Sequence, residues 1–164
     1  MHRIAYLLTA AGTALTASSS ETVLASGSLK AFSLQPGKVY RVRAAVLATA
    51  TNSTDTLTVR LRVGPTTLTG TVVGSSGAVD AANSDVVVVD VEMVVRDADS
   101  SSVVLVHGLV SAVGAEGTGT ARSAFESLAL DSAAEQLVEI TGQWSSTSAG
   151  NSCRCDALTI TELV

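Results

Sequence analysis

Residues 86–113 read VVVVDVEMVVRDADSSSVVLVHGLVSAV, and this stretch indicates the fold class most clearly. From Asp90 onward apolar and charged residues alternate, so that Val91 and Met93 fall on one side of the chain and Asp90 and Glu92 on the other. A period of two residues is typical of a strand with one buried face. The polar residues between the two apolar runs indicate a turn, and the stretch is therefore predicted to form a β-hairpin.

The hairpin also contains two runs that do not alternate, residues 86–89 and residues 103–106. A continuous apolar run in a strand indicates cover on both faces. We therefore expect the N-terminal arm or the chain's own loops to cover one run, and a neighbouring subunit to cover the other. The contact residues predicted on this ground are Val86, Val88, Val103 and Leu105, together with Ile4, Tyr6 and Leu8 of the N-terminal arm.

The register of the hairpin places its one histidine. If Val95 pairs with Val104 and the strands continue without a break, Glu92 lies directly opposite His107. We expect this pair to be a surface contact between strands, with a structural and not a catalytic role.

Strand patterns separated by turn residues recur along the rest of the chain. The candidate strands outside the hairpin are residues 2–9, 22–29, 39–49, 56–63, 66–73, 120–130, 137–144 and 153–163. The only helical feature predicted is one turn over residues 131–136, with Asp131 as its N-cap. About eight to ten antiparallel strands at this spacing predict an all-β, jelly-roll-like β-sandwich.

The domain organisation follows from the same pattern. Residues 1–20 superficially resemble a secretory signal, but Thr9, Gly12 and Thr13 interrupt the apolar region. We expect these residues to form an N-terminal arm or first strand, and residues 21–164 to form a single β-sandwich domain.

Composition excludes several classes of partner. The net charge is −5 and the basic residues are not clustered, so we expect no nucleic-acid partner. The mean hydropathy is +0.41, yet no uninterrupted apolar span is long enough for a membrane helix, and we expect no membrane partner. The surplus apolar surface is therefore predicted to meet protein.

Charged residues with two-residue spacing form the first candidate constellation. We predict that they make a structural salt-bridge ladder between neighbouring strands on the outer face of a sheet, built from Arg41, Arg43, Arg60, Arg62, Asp90 and Glu92. A clamp for phosphate or carboxylate is the alternative for the arginines. Glycoside hydrolysis by the two carboxylates is disfavoured, because no aromatic residues of a sugar cleft accompany them.

No other motif indicates catalysis. Cys153 and Cys155 are predicted to be buried free thiols, since a disulfide two residues apart is strained and a metal site would need two further ligands. No nucleophile-elbow, phosphate-loop or zinc-protease motif is present. We therefore expect a non-enzymatic protein with no catalytic residues, no metal and no cofactor. Trp144 falls on the apolar side of its predicted strand, so we expect it to lie in the core. The alternative is that its ring is exposed and binds a sugar.

Two segments resemble a known family. Residues 48–71, ATATNSTDTLTVRLRVGPTTLTGT, and residues 137–164, LVEITGQWSSTSAGNSCRCDALTITELV, are similar to small jelly-roll structural proteins of tailed bacteriophages. The resemblance extends over most of the chain from about residue 22. It implies a virion protein, either a capsid decoration (cement) protein or the head of a fibre, and it implies no catalytic residues.

The function expected from this resemblance is decoration of the outer surface of the capsid. The chain is expected to form a homo-oligomer, a trimer, that binds the major capsid protein and stabilises the head shell. A receptor-binding or carbohydrate-binding fibre module of the virion is the alternative.

Overall fold

A computed structural model of the chain describes residues 2–50, 54–81, 84–97, 102–113 and 120–163. All regular structure in these residues is β. The twelve strands within the described residues are β1 (His2–Leu7), β2 (Leu15–Thr16), β3 (Thr22–Leu29), β4 (Val39–Thr49), β5 (Thr56–Gly64), β6 (Thr71–Ser75), β7 (Val79–Asp80), β8 (Asp85–Val95), β9 (Ser102–Val113), β10 (Thr120–Leu130), β11 (Gln136–Trp144) and β12 (Ser152–Leu163).

The strands form two antiparallel sheets that pack face to face. The large sheet has seven strands, in the order β1-β12-β4-β8-β9-β10, with β2 also beside β12. The small sheet has five strands, in the order β3-β11-β5-β6, with β7 also beside β5. The predicted all-β, jelly-roll-like sandwich is confirmed. The strands outnumber the predicted eight to ten because β2 and β7, with two residues each, are too short to show an alternating pattern in the sequence.

The core lies between the inner faces of the two sheets. Alternation along each strand produces it, since every second residue of β4, β5 and β8 is fully buried. Trp144 and Tyr40 are the largest buried side chains, and both cysteines are free and buried in the same layer, as predicted.

The hairpin of β8 and β9 has the predicted register. Val95 pairs with Val104, and Glu92 lies opposite His107, which confirms the prediction. Strand β1 covers neither run, because β12 and β4 separate it from β8 in the large sheet. Val88 and Val103 are accordingly 37% and 38% exposed.

The N-terminal segment is part of the large sheet. Strand β1 pairs with β12, and the register shifts between Ile4 and Tyr6. This bulge turns Ile4 and Leu7 outward, whereas Tyr6 and Leu8 pack against the chain's own core. The ring of Tyr6 fills the space beside Gly27, where a Cβ would stand 2.7 Å from it. Contact of Tyr6 and Leu8 with a neighbouring subunit stays a prediction.

Two local predictions also need correction. Residues 66–70 form a turn, so the strand predicted over residues 66–73 begins only at Thr71. The helical turn predicted over residues 131–136 is absent: a non-helical turn precedes β11, which begins at Gln136, and the Asp131 carboxylate accepts a hydrogen bond of 2.8 Å from the N–H of Ala133.

Candidate functional site

The outward side chains of β4, β8, β9 and β10 form a broad surface, which we call the outer face. Its rows run across the strands, and one row consists of Arg43, Asp90 and Leu109, while the next consists of Arg41, Glu92, His107 and Phe125. These side chains share a face because residues directly opposite one another in antiparallel strands point the same way.

Large apolar side chains are exposed over much of the outer face. Leu109 is 50% exposed and Phe125 is 72% exposed. The apolar residues predicted as contacts in the hairpin lie on the same surface: Val86, Val88, Val103 and Leu105 are half-buried or exposed, and each points away from the core. Contiguous exposed apolar surface of this kind is typical of protein contact sites.

A charged group lies in the middle of the outer face. Arg41 donates two hydrogen bonds to the Asp90 carboxylate, from Nε and Nη2, each of 2.8 Å. The Arg43 Nε lies 3.5 Å from the same carboxylate. The hydrogen bond from Arg41 holds the pKa of Asp90 below its ordinary value, so the carboxylate stays ionised near neutral pH.

A shallow depression beside this group lies over Gly108. Its rim includes Arg41, Glu92 and His107, and the Nε2 of His107 is 3.8 Å from Glu92 Oε2. The backbone of Gly108 has a φ of +152°, and a Cβ there would stand 2.3 Å from the carbonyl oxygen of Asp90. Close approach of β8 and β9 at this point therefore requires glycine.

Arg60 and Arg62 do not join the predicted ladder. They lie on β5, in the small sheet, whereas Asp90 and Glu92 lie on β8 in the large sheet. The prediction that all six residues form one ladder is therefore wrong, because alternation places a residue on an outer face without indicating which sheet holds its strand.

The partner of these two arginines is Glu21. Its carboxylate accepts hydrogen bonds of 2.7 and 2.9 Å from Arg62 and one of 2.6 Å from the Thr141 hydroxyl, and it lies 3.4 Å from Arg60. The hydrogen bond from Arg62 is the main reason that the pKa of Glu21 falls to about 2. No sequence signal marked Glu21, since it lies just before β3 and outside any alternating run.

A second carboxylate of the small sheet is almost completely buried. Glu139 is 2% exposed, and its Oε2 accepts a hydrogen bond of 2.9 Å from the N–H of Leu68. Its Oε1 has no hydrogen-bond partner among the described residues. This side chain fixes the turn over residues 66–70 to the small sheet, which indicates a structural role.

The described cysteine thiols are buried, and the residues that could ligate a metal are dispersed. Within the described ranges, no three His, Cys, Asp or Glu side chains come close enough together to hold a metal ion. Burial raises the pKa of Cys153 to about 12 and that of Cys155 to about 11, so both thiols stay protonated.

Trp144 is 1% exposed and belongs to the core, which makes it unsuitable as a sugar platform. In the described part of the chain, no helix has the length and apolar character needed to cross a membrane.

Comparisons with known proteins include a remote likeness to a solved structure. No protein-family model matches the chain, and no curated protein matches it. A chain of the solved structure titled "Structure of infectious bursal disease virus Gx strain" is similar over 99% of this chain and 33% of its own length. The identity is 15% and the TM-score is 0.38. The present chain thus spans about a third of that protein, and a likeness at this level carries no argument about function.

Proposed function

We propose that the chain is a non-enzymatic structural protein of a tailed-bacteriophage virion. In this proposal it decorates the outer surface of the capsid as a homotrimer, binds the major capsid protein and stabilises the head shell. The resemblance of residues 48–71 and 137–164 to bacteriophage structural proteins supports the virion assignment.

The observation that carries the proposal is the outer face of the large sheet. Val88, Leu109 and Phe125 expose apolar surface on a sheet whose other side is completely buried. Burying such a surface is favourable by about 25 cal/mol per Å² of apolar area, so the outer face favours association. A β-sandwich with one face that favours association suits a protein that is repeated over a capsid lattice. Many weak contacts then add up to strong binding.

The occupant that we propose for the outer face is a second copy of this chain. The charges on the face have both signs and remain accessible, since the Arg43 side chain is 65% exposed and that of Glu92 is 36% exposed. A neighbouring copy therefore offers each charge an opposite one, which a uniformly charged partner such as nucleic acid does not.

The self-association is tested by sedimentation and native mass measurement of the purified chain over a range of concentrations. A trimer is expected, and Leu109→Asp is expected to yield a folded monomer because it places a charge in the buried contact. Leu7→Asp is the matched control, since Leu7 is a 51% exposed side chain on β1, outside the outer face. A wild-type chain that stays monomeric throughout, or equal effects of both variants, contradicts the assignment of this face.

The location on the virion needs a separate experiment. Particles assembled with and without the chain are compared by electron cryo-microscopy and by their resistance to heat. Added density on the outer shell and a higher disruption temperature are expected. Density on a fibre, with an unchanged shell, contradicts decoration and favours the receptor-binding module, for which the exposed aromatic ring of Phe32 is the supporting observation.

A further inference from the structure

A cleft lies at one end of the sandwich, away from the outer face. It forms where β1 and the end of β12 meet the connection between β3 and β4, and it encloses about 270 Å³. The side chains that matter to its chemistry are Arg3, Lys30, Phe32, Lys38 and Glu162. Its volume is close to the lower end of the range for small-molecule sites, which suits a ligand of about one ring.

Positive charge is concentrated in this cleft. Lys30 and Lys38 are the only lysines in the chain, and both line the cleft together with Arg3. The single carboxylate among the lining residues, that of Glu162, is 2.9 Å from the Lys38 Nζ and is therefore already paired. Neither Arg3 nor Lys30 has an ion pair within the described ranges. Three cations against one carboxylate leave a surplus of two positive charges, in a chain whose net charge is −5.

An aromatic ring adjoins these cations. The Phe32 side chain is 71% exposed, and its backbone has a φ of +62°, which is unusual for a bulky residue. The N–H of Phe32 donates a hydrogen bond of 2.7 Å to the carbonyl oxygen of Ser132, and this contact holds the strained backbone in place. The ring is therefore presented at the cleft by a fixed segment.

Ser33 belongs to the fixed wall of the cleft. Its carbonyl oxygen accepts a hydrogen bond of 2.6 Å from the Tyr40 hydroxyl, which fixes the position of Ser33. Its Oγ is shielded from solvent and has no hydrogen-bond partner among the described atoms, so a ligand in the cleft does not reach it.

We propose that this cleft binds a carboxylated sugar, a uronic or sialic acid unit. The guanidinium of Arg3 and the ammonium of Lys30 bind the carboxylate, since a guanidinium matches a carboxylate with two parallel hydrogen bonds. The ring of Phe32 covers the apolar face of the sugar, while the Glu162 carboxylate accepts hydrogen bonds from its hydroxyls. The Glu162 carboxylate disfavours a phosphate, because it repels the second negative charge that a phosphate carries near neutral pH.

The proposal is tested by titrating the full chain with glucuronate, N-acetylneuraminate, glucose and inorganic phosphate, with binding followed by calorimetry and NMR shifts. A Kd of about a millimolar is expected for at least one of the two acidic sugars. Binding of glucose and of phosphate is expected to be at least about tenfold weaker, because glucose lacks the carboxylate and phosphate lacks the sugar ring.

Two pairs of variants locate the site. Arg3→Ala and Phe32→Ala are each expected to weaken acidic-sugar binding at least about fivefold. Their controls are Arg154→Ala and Phe125→Ala, which remove an exposed guanidinium and a 72% exposed ring outside the cleft and are expected to leave the affinity unchanged. Circular dichroism verifies the fold of each variant, and Lys30→Ala replaces Arg3→Ala if the latter unfolds.

Three results would overturn the proposal. They are phosphate or glucose binding as tightly as the acidic sugars, equal losses in the cleft variants and their controls, and no binding of either acidic sugar at about tenfold the expected Kd. The inference rests on the cleft alone, so its failure leaves the virion proposal untouched, and the particle experiments do not decide it.

Discussion

The carboxylate of Glu21 and the guanidinium of Arg62 form two parallel hydrogen bonds, of 2.7 and 2.9 Å, between residues 41 positions apart in the sequence. Glu21 precedes β3, Arg62 lies on β5, and Thr141, on the intervening strand β11, donates to the same carboxylate. One side chain thus links three neighbouring strands of the small sheet, and its ionised form is the one that all these contacts favour.

Replacing Glu21 with Gln is expected to lower the free energy of unfolding at pH 7 by about 2 kcal/mol. The folded pKa of about 2 lies below the ordinary value of 4.5, so ionised Glu21 stabilises the fold at pH values above that ordinary value. This stabilisation is lost as the pH falls from about 5 to 2, and partial exposure of the side chain keeps it below the full linkage value.

Urea unfolding between pH 7 and pH 2 measures this effect. The difference between the wild type and Glu21→Gln is expected to shrink toward zero at pH 2. Glu135→Gln, at an exposed position in the turn before β11, is the control and is expected to change the free energy of unfolding by less than about 0.5 kcal/mol. A difference for Glu21→Gln that does not vary with pH would contradict the assignment.

The two arginines beside Asp90 are expected to differ in their coupling to it. Arg41 makes two hydrogen bonds of 2.8 Å to the carboxylate, whereas Arg43 approaches it only to 3.5 Å and is 65% exposed. Double-mutant cycles with Asp90→Asn are expected to give a larger coupling energy for Arg41→Ala than for Arg43→Ala. Equal coupling energies would show that the bidentate contact is absent in solution.

Substitution of Gly108 tests the close approach of β8 and β9. Gly108→Ala is expected to cost more than about 3 kcal/mol, because the new Cβ collides with the carbonyl oxygen of Asp90 in addition to the unfavourable φ. Gly37→Ala is the matched control, since Gly37 also has a positive φ but has open space around its Cβ position, and its expected cost is about 1 kcal/mol. Thermal and urea unfolding of both variants measure the difference, and similar costs would contradict the collision.

The cysteine thiols are expected to be inert in the folded protein. Burial raises the pKa of Cys153 to about 12 and that of Cys155 to about 11, so almost no reactive thiolate exists at pH 8. A thiol-specific reagent is expected to react at least about 100-fold more slowly with the folded chain than with the chain in urea, where two thiols are counted. Rapid reaction of either thiol in the folded chain would contradict its burial.

Alternation along the strands accounts for what the sequence alone could predict. Strands β3, β4 and β10 have the predicted bounds, and β4 keeps a regular period along its whole length. The same regularity placed Glu92 opposite His107, since an unbroken hairpin propagates its register from the turn.

The errors in the candidate site have physical causes that lie outside a single strand. A one-residue bulge after Ile4 reverses the direction of Tyr6, and no residue type in that segment signals it. The separation of Arg62 from Asp90 depends on which sheet each strand joins, which is decided by packing between distant segments. Strand β1 does not cover Val88, because it lies at the far edge of the large sheet.

Strand β12 lies between β1 and β4 in the large sheet, and it also pairs with β2. Residues 152–163 are therefore needed to connect the earliest part of the chain to the rest of the sheet. During synthesis β4 must wait with one edge unpaired until more than a hundred further residues have been added, so this sheet is completed only after residue 163 has left the ribosome. Such long-range pairing predicts slow folding, on the scale of milliseconds to seconds, and an interval in which the open edge of β4 is the point most vulnerable to aggregation.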